Sequence, residues 1–422
     1  MLSSDLPPSV RTETPFPIGR RELVVMLALT QALQALAIDA ILPGLGELSR
    51  DLNAVTPNQG QLVVGLFMIG MGLGALLPGP LADRFGRKRV LLACVLASSA
   101  ITLACMLAQT IDQMLALRLL SGLIYAGLAV VPPAIIRDRF EGDRMASIQS
   151  MIGVIFLIVP MVAPSLGQLV LLVLGWRWIF GFIALLGLAM SLWIALRLPE
   201  TLDPANRQRI DPRSIGRNMR EVMTTRASIG YVLGGAFSVG VLWGYIQSSQ
   251  QLVGDHFGAG QAFPLFFGGM ALAMAVANLT NSRIVERFGA RRVAHTALFV
   301  YIALALAQYH LAHRGTETLW QFVPVMTLTM MCMGFTGANF AAIALQPFAR
   351  MAGAASSVQT FVRSSLGGLI AAFIGQAYDG SARPFSSALV VGGVMILLLI
   401  LWSENGRLFR RLHPRGTRPP IA

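Results

Sequence analysis

The sequence predicts an all-α integral membrane protein, with twelve transmembrane helices in two pseudo-symmetric six-helix bundles. Three observations predict it. Of 422 residues, 55% are hydrophobic and only 13% charged, too little polar surface for a soluble chain of this length. Twelve apolar runs separated by charged punctuation each approach the ~20 residues that cross a ~30 Å hydrocarbon core. A loop motif also repeats 203 residues on: Asp83-Arg84-Phe85-Gly86-Arg87-Lys88-Arg89 returns as Glu286-Arg287-Phe288-Gly289-Ala290-Arg291-Arg292. Each copy follows the second apolar run of its half.

The first six spans are expected near 22–45, 61–82, 90–110, 113–136, 147–172 and 177–197. The last six are expected near 227–252, 262–283, 291–312, 319–345, 353–377 and 384–402. These boundaries divide the chain into an N-terminal bundle (1–197), a polar linker (198–226) and a C-terminal bundle (227–422). The basic residues orient it. With both termini and the linker on the cytoplasmic side, 27 of the 33 Lys and Arg fall on that side. Only Arg50, Arg177, Arg314 and Arg383 fall opposite, and Arg118 and Arg363 lie inside spans. This bias predicts a multi-pass protein of the cell's inner membrane with both termini cytoplasmic. The N-terminus is Pro/Ser-rich and shows no short apolar core with a cleavage site, so no removable signal peptide is expected.

Taken in chain order, the spans carry few polar groups. Span one holds Gln31, Gln34 and, beyond its middle, Asp39, with Pro43 ending the apolar run. A carboxylate unpaired in low dielectric tends to take up a proton, which makes Asp39 a candidate proton carrier; a carboxylate held by water at the outer mouth is the other reading. Gly79 and Gly86 flank Asp83 in the loop after span two, with Arg84 and Arg87 alongside. Arg118 starts span four and keeps its charge at any working pH. Gly122 and Tyr125 follow on the same helical face, and Asp138 closes the span. Arg118 either tunes a nearby carboxylate or bonds helix carbonyls. Span five holds Pro160, Pro164 and Gly167, which allow bending and close packing. Trp243, Gln247 and Gln250 share a face of span seven, where aromatic and amide groups suit a broad apolar site with a few orienting hydrogen bonds. Arg363 sits mid-span eleven, either lining a cavity or bonding neighbouring backbone; a lipid-facing position is excluded on energy grounds.

Several classes drop out. The formal charge of +13 is spread as topology punctuation and forms no basic patch interleaved with aromatics, so nucleic acid is not an expected partner. No Gly-x-x-x-x-Gly-Lys run is present, which argues against an ATP-driven pump. Cys94, Cys105 and Cys332 sit in apolar runs without metal-ligand or disulfide spacing, and the five histidines show no metal spacing. No catalytic constellation is visible, so no enzyme activity, cofactor or metal is expected.

Gly79-Pro80-Leu81-Ala82-Asp83-Arg84-Phe85-Gly86-Arg87-Lys88-Arg89 resembles the signature loop of the major facilitator superfamily. A finer resemblance is to the bicyclomycin- and chloramphenicol-resistance exporters, the Bcr/CflA type of drug:proton antiporter. It rests on Asp39-Ala40-Ile41-Leu42-Pro43-Gly44-Leu45, Ala134-Ile135-Ile136-Arg137-Asp138, Ala163-Pro164-Ser165-Leu166-Gly167 and Gly175-Trp176-Arg177-Trp178. Ala352-Gly353-Ala354-Ala355-Ser356-Ser357 and Tyr378-Asp379-Gly380 extend it to span eleven. Three positions depart from that pattern: Ser121 stands where Gln follows the span-four Arg, Gln250 where Pro follows Ser249, and Gln168 where a second glycine follows Gly167.

The resemblance implies proton-coupled export of small, largely apolar compounds by alternating access, driven by a proton gradient. It implies proton coupling at Asp39 and Arg118, and a substrate cavity lined by Gln31, Gln34, Tyr125, Trp243, Gln247, Gln250 and Arg363. Pro160, Pro164 and Gly167 would form the span-five antiporter motif at the seam between the halves. Gly79, Asp83, Arg84, Gly86, Arg87 and Asp138 would latch a cytoplasmic gate, with Asp83 also facing the N-terminal end of span eleven. Expected partners are a small-molecule substrate, protons and the lipid bilayer, with the protein a monomer. A proton symporter or dedicated metabolite exporter on the same fold is the alternative; a non-transporting receptor leaves the gate cluster without purpose.

Overall fold

The structure, a computed structural model, describes residues 18–56, 58–140, 142–202, 207 and 212–410. Among these, the regular structure is entirely helical. Ten helical segments are long and apolar enough to cross a membrane, and a bent pair, Gln59–Gly74 with Pro78–Phe85, makes an eleventh crossing. The helix Gly142–Leu174, where the sequence expects the fifth span, carries a shorter apolar stretch, Ile158–Leu174.

In the first half, α1 (Arg20–Asp39) stops beside Pro43, and a 3-10 turn (Leu42–Gly44) leads into the short α2 (Leu45–Asp51). The helical form changes there, yet Arg21–Asp51 still runs as one crossing, as the expected span 22–45 has it. Pro43 has no N–H to continue the helical ladder. The second span is bent: α3 (Gln59–Gly74) and α4 (Pro78–Phe85) meet at 48°, with Pro78 in the first helical position, where its missing donor costs nothing. Next come α5 (Arg87–Met106), α6 (Ile111–Arg139), α7 (Gly142–Leu174) and α8 (Trp176–Arg197). Thr110 caps α6 by accepting the Gln113 N–H at 3.3 Å. The linker helix α9 (Pro212–Thr224) rests Val222 against Phe348, Ala355 and Val358 of the second half.

The second half holds α10 (Arg226–Ser249), α11 (Phe263–Phe288), α12 (Ala290–Arg314), α13 (Leu319–Leu345), α14 (Ala352–Gln376) and α15 (Arg383–Ser403). At Gln250, where the resembling exporters carry proline, α10 passes into a π-helical turn (Gln250–His256). A π turn breaks the ladder much as proline does and often marks a functional site.

The repeated loops fold alike. Gly86 (φ 104°, ψ 149°) separates α4 from α5, and Gly289 (φ 88°, ψ 144°) separates α11 from α12. Side chains rarely adopt these dihedrals, so the repeated motif is also a repeated backbone.

The halves meet along two seams, α3 against α14 and α7 against α11. At the first, a Cβ on Gly72 would overlap the Ser364–Ser365 backbone, and one on Gly368 would press on Ile69. Beyond the kink at Ala75–Leu77, α4 packs on α5 and α6 of its own half.

Candidate functional site

α1 begins and α8 ends on the side of the linker, and the opposite end of the helices is the far side. Asp39 is the last residue of α1 and is 4% exposed. No ion pair reaches it among the described residues. Arg118, 2% exposed, lies close by in the chain packing but turns to backbone. Its Nε donates to the Val63 carbonyl at 2.8 Å and its Nη2 to the Ala37 carbonyl at 2.9 Å. Its guanidinium stands 4.3 Å from the Phe67 ring centroid and 5.8 Å from that of Phe180. Arg118 thus clamps the last turn of α1 to α3, two residues before Asp39. From the other side, a Cβ at Gly167 would overlap the Ala40 carbonyl, so α7 touches α1 immediately after Asp39. Pro164 is buried in the same helix. One turn before it, beside Pro160, the Met161 carbonyl approaches Gly268 of α11. The span-five motif therefore runs from the Asp39 turn to a seam between the halves.

Tyr125 corrects its expected place on the cavity. It does share a face with Arg118 and Gly122, but that face packs on α3. Its ring meets Phe67 edge-on at 5.2 Å, its hydroxyl lies 3.0 Å from the Thr102 hydroxyl, and it is 2% exposed. Gln31 is half-buried, and Gln34 is buried with its amide donating to the Met71 sulfur at 2.8 Å. Trp243 is half-buried.

Gln247 and Gln250 do line a cavity, at the far end of the seam. Its volume is about 420 Å³, and Gln61, Gln251, Arg50 and Asp255 also line it. The amides there tie the halves together. Gln61 pairs with Gln251, and Gln247 donates to the Ala371 carbonyl. Asn58 donates to the carbonyls of Gln376 (3.1 Å) and Tyr378 (2.8 Å), and Gln376 donates back to the Asn58 carbonyl at 2.8 Å. The far side is thereby closed. Gln61, Gln251, Asn58 and Gln376 were not singled out in the sequence; Gln61 could have been, as a long polar side chain just inside an apolar run.

Arg363 of α14 stacks its stem and Nε over Gly235 of α10, where a Cβ would lie 3.0 Å from Nε. Its Nε is buried without a hydrogen-bond partner, and no carboxylate pairs with it among the described residues.

On the linker side, Arg87 (3% exposed) gathers acids from separate elements. It bonds Asp83 of α4 at 2.5 Å and Asp138 of α6 at 2.8 Å. Glu200, from the segment after α8, accepts the Arg87 backbone N–H at 2.7 Å and fills the space a Gly86 Cβ would need. The two carboxylates compensate the Arg87 charge. Arg84 leaves the cluster and lies 5.1 Å from the Phe85 ring centroid. Gly79 packs near Val130 of α6. The expected approach of Asp83 to the start of span eleven involves residues 349–354, whose side chains lie outside the described set. Glu200 was missed by sequence reasoning. Among the described residues, no group of three or more His, Cys, Asp or Glu could hold a metal ion.

The Major Facilitator Superfamily family pattern matches residues 27–372. The chain belongs to the major facilitator superfamily. Among the relatives of this major facilitator protein, an uncharacterized MFS-type transporter, YdgK of Bacillus subtilis, is 30% identical over 90% of this chain and 95% of its own. A bicyclomycin resistance protein homolog of Haemophilus influenzae is 27% identical over 90% of this chain and 94% of its own. The multidrug resistance protein MdtL of Escherichia coli is 29% identical over 88% and 92%. The fold matches a bacterial homolog of the human lysosomal transporter Spinster, in an inward-facing and unoccupied conformation. That match has a TM-score of 0.71 at 17% identity and covers 93% of this chain and 96% of the other. This is a multi-pass membrane transporter of the superfamily.

Proposed function

We propose that this major facilitator protein is a proton-coupled exporter of small, largely apolar compounds, working as a monomer in the inner membrane with both termini cytoplasmic. The single observation that carries the reading is the setting of Asp39: a buried carboxylate without an ion-pair partner among the described residues, between the Arg118 clamp and the Gly167 contact. A proton gained or lost there changes the charge at the one turn of α1 that both α6 and α7 grip. Because α7 also touches α11, that turn is mechanically linked to the seam. The resistance names of two relatives support export of drug-like compounds, and the proton gradient is the driving force. With the linker side cytoplasmic, the amide bonds bridge the halves on the side away from the cytoplasm.

The test uses vesicles of known orientation. Adding a neutral drug such as chloramphenicol should release protons from the opposite compartment in antiport; comigration of proton and substrate would instead establish a symporter. Asp39→Asn keeps shape and hydrogen bonding but cannot titrate. Binding of the neutral drug and downhill exchange should persist, while concentration against a gradient should fail. If Asp39→Asn still concentrates drug with normal proton stoichiometry, the proton travels elsewhere.

A further inference from the structure

We infer that Arg363 and Gln359 form a subsite for an anionic oxygen of the substrate, so that this transporter accepts compounds bearing a carboxylate. The inference rests on the proposed export function and names a substrate class for it.

The membrane interior holds two fixed cations, and the structure treats them oppositely. Arg118 is satisfied by two carbonyls and two aromatic rings. Arg363 has no acceptor for any of its nitrogens among the described residues, and its Nε is buried. One turn earlier on the same face of α14, Gln359 is 3% exposed and its Nε2 donor is also buried without a partner. Residues four apart on a helix are neighbours, so two unsatisfied donors stand side by side. Structures do not usually leave such groups empty: a cation without a counter-charge inside a membrane span is unfavourable and marks a functional position. A water could serve the amide, but it leaves the guanidinium charge uncompensated. A carboxylate satisfies both donors and the charge at once, and a guanidinium presents the fork geometry that carboxylates match.

The placement fits a substrate. Ser364 and Ser365, the next residues, make the Gly72 contact with α3. Arg363 therefore lies at the seam between the halves, at the level where α3 gives way to the bent α4. Gly235, without a side chain, leaves room for the guanidinium on α10. No acid of α10 or α14 competes for it: neither helix contains Asp or Glu.

The experiment compares chloramphenicol with chloramphenicol succinate, the same core with and without a carboxylate, in proteoliposomes of the full chain under a pH gradient. The wild type should accumulate both. In Arg363→Gln the ratio of the KM for the succinate to that for chloramphenicol should rise about tenfold, the value of one charged hydrogen bond, and Arg363→Lys should restore part of it. An unchanged ratio overturns the inference. If Arg363→Gln does not purify as a monodisperse species, the wild type alone decides through binding. The free acid should displace bound chloramphenicol at lower concentration than its methyl ester does, and equal displacement overturns the subsite. Should the wild type bind the free acid preferentially yet concentrate neither compound, the export reading fails while the subsite stands.

Discussion

The two copies of the repeated loop share a backbone and differ in what they brace. Gly86 and Gly289 hold nearly the same dihedrals. After Gly86, Arg87 binds Asp83 and Asp138, and Glu200 docks on its backbone, which ties α4, α5, α6 and the linker together. After Gly289, the working cation is Arg291, one position later in the repeat. It bonds Glu404 at 2.6 Å and Gln346 at 2.7 Å, while Tyr231 donates to Glu404 at 2.7 Å. This cluster ties the ends of α10, α12, α13 and α15. The side chain of Glu286, the counterpart of Asp83, lies outside the described residues. The repeat therefore fixes the turn, and the charges decide the load. The first copy secures α4, the segment that bends away from the seam. The second secures the end of the C-terminal bundle, where Phe409 also bonds His295 at 3.0 Å.

Removing each cation breaks the comparison most directly. Arg87→Ala leaves Asp83 and Asp138 facing each other with Asp138 only 15% exposed, and should lower stability by about 2–4 kcal/mol. Because α4 loses its anchor, cysteine accessibility along the linker-side mouth should also change. Arg291→Ala strands one carboxylate, at 11% exposure, and should lose about 2–3 kcal/mol, with mouth accessibility unchanged. Thermal unfolding in detergent and labelling in membranes read the two effects. Equal accessibility changes in both variants would remove the functional distinction between the copies.

This contrast also marks what the sequence carries. Twelve spans are legible because hydropathy is a one-dimensional property, and the Asp83–Arg87–Asp138 cluster because Asp83 and Arg87 are four residues apart in a single loop. The bend at Ala75–Leu77 is not. Pro78 announces an interruption, but the 48° angle between α3 and α4 belongs to the packed chain and not to the local sequence. Glu200 is invisible for a similar reason: it reaches Arg87 from 113 residues away. Tyr125 shows the limit of periodicity. The spacing correctly places it with Arg118 and Gly122, but only packing against Phe67 says which way that face turns.

A subtler comparison uses the glycines. Alanine at either position must hold a positive φ, at a cost of about 1–2 kcal/mol. Gly289→Ala should show that strain. Gly86→Ala carries it as well and also displaces the Glu200 carboxylate, so its apparent melting temperature should fall further. A larger fall for Gly289→Ala would show that Glu200 contributes nothing at the first loop.

The smallest effect isolates that carboxylate. Glu200 is exposed, yet one of its oxygens accepts from the backbone N–H groups of Arg87 at 2.7 Å, Thr201 at 3.0 Å and Leu202 at 3.2 Å. It is an acid at the N-terminal end of α5, where the helix dipole favours negative charge. Glu200→Gln keeps an acceptor oxygen and removes the charge, so it should lose only about 0.5–1 kcal/mol, with the loss shrinking in high salt because an exposed charge is screened. Glu200→Ala removes the acceptor too and frees the segment after α8 from the loop. Its signature is faster amide exchange at Arg87, Thr201 and Leu202. No counterpart of Glu200 docks on Gly289 among the described residues, so amide exchange at Ala290 in the unmodified protein should be faster than at Arg87. Slower exchange at Ala290 would mean that the dipole alone secures both loops and that Glu200 is incidental to the first.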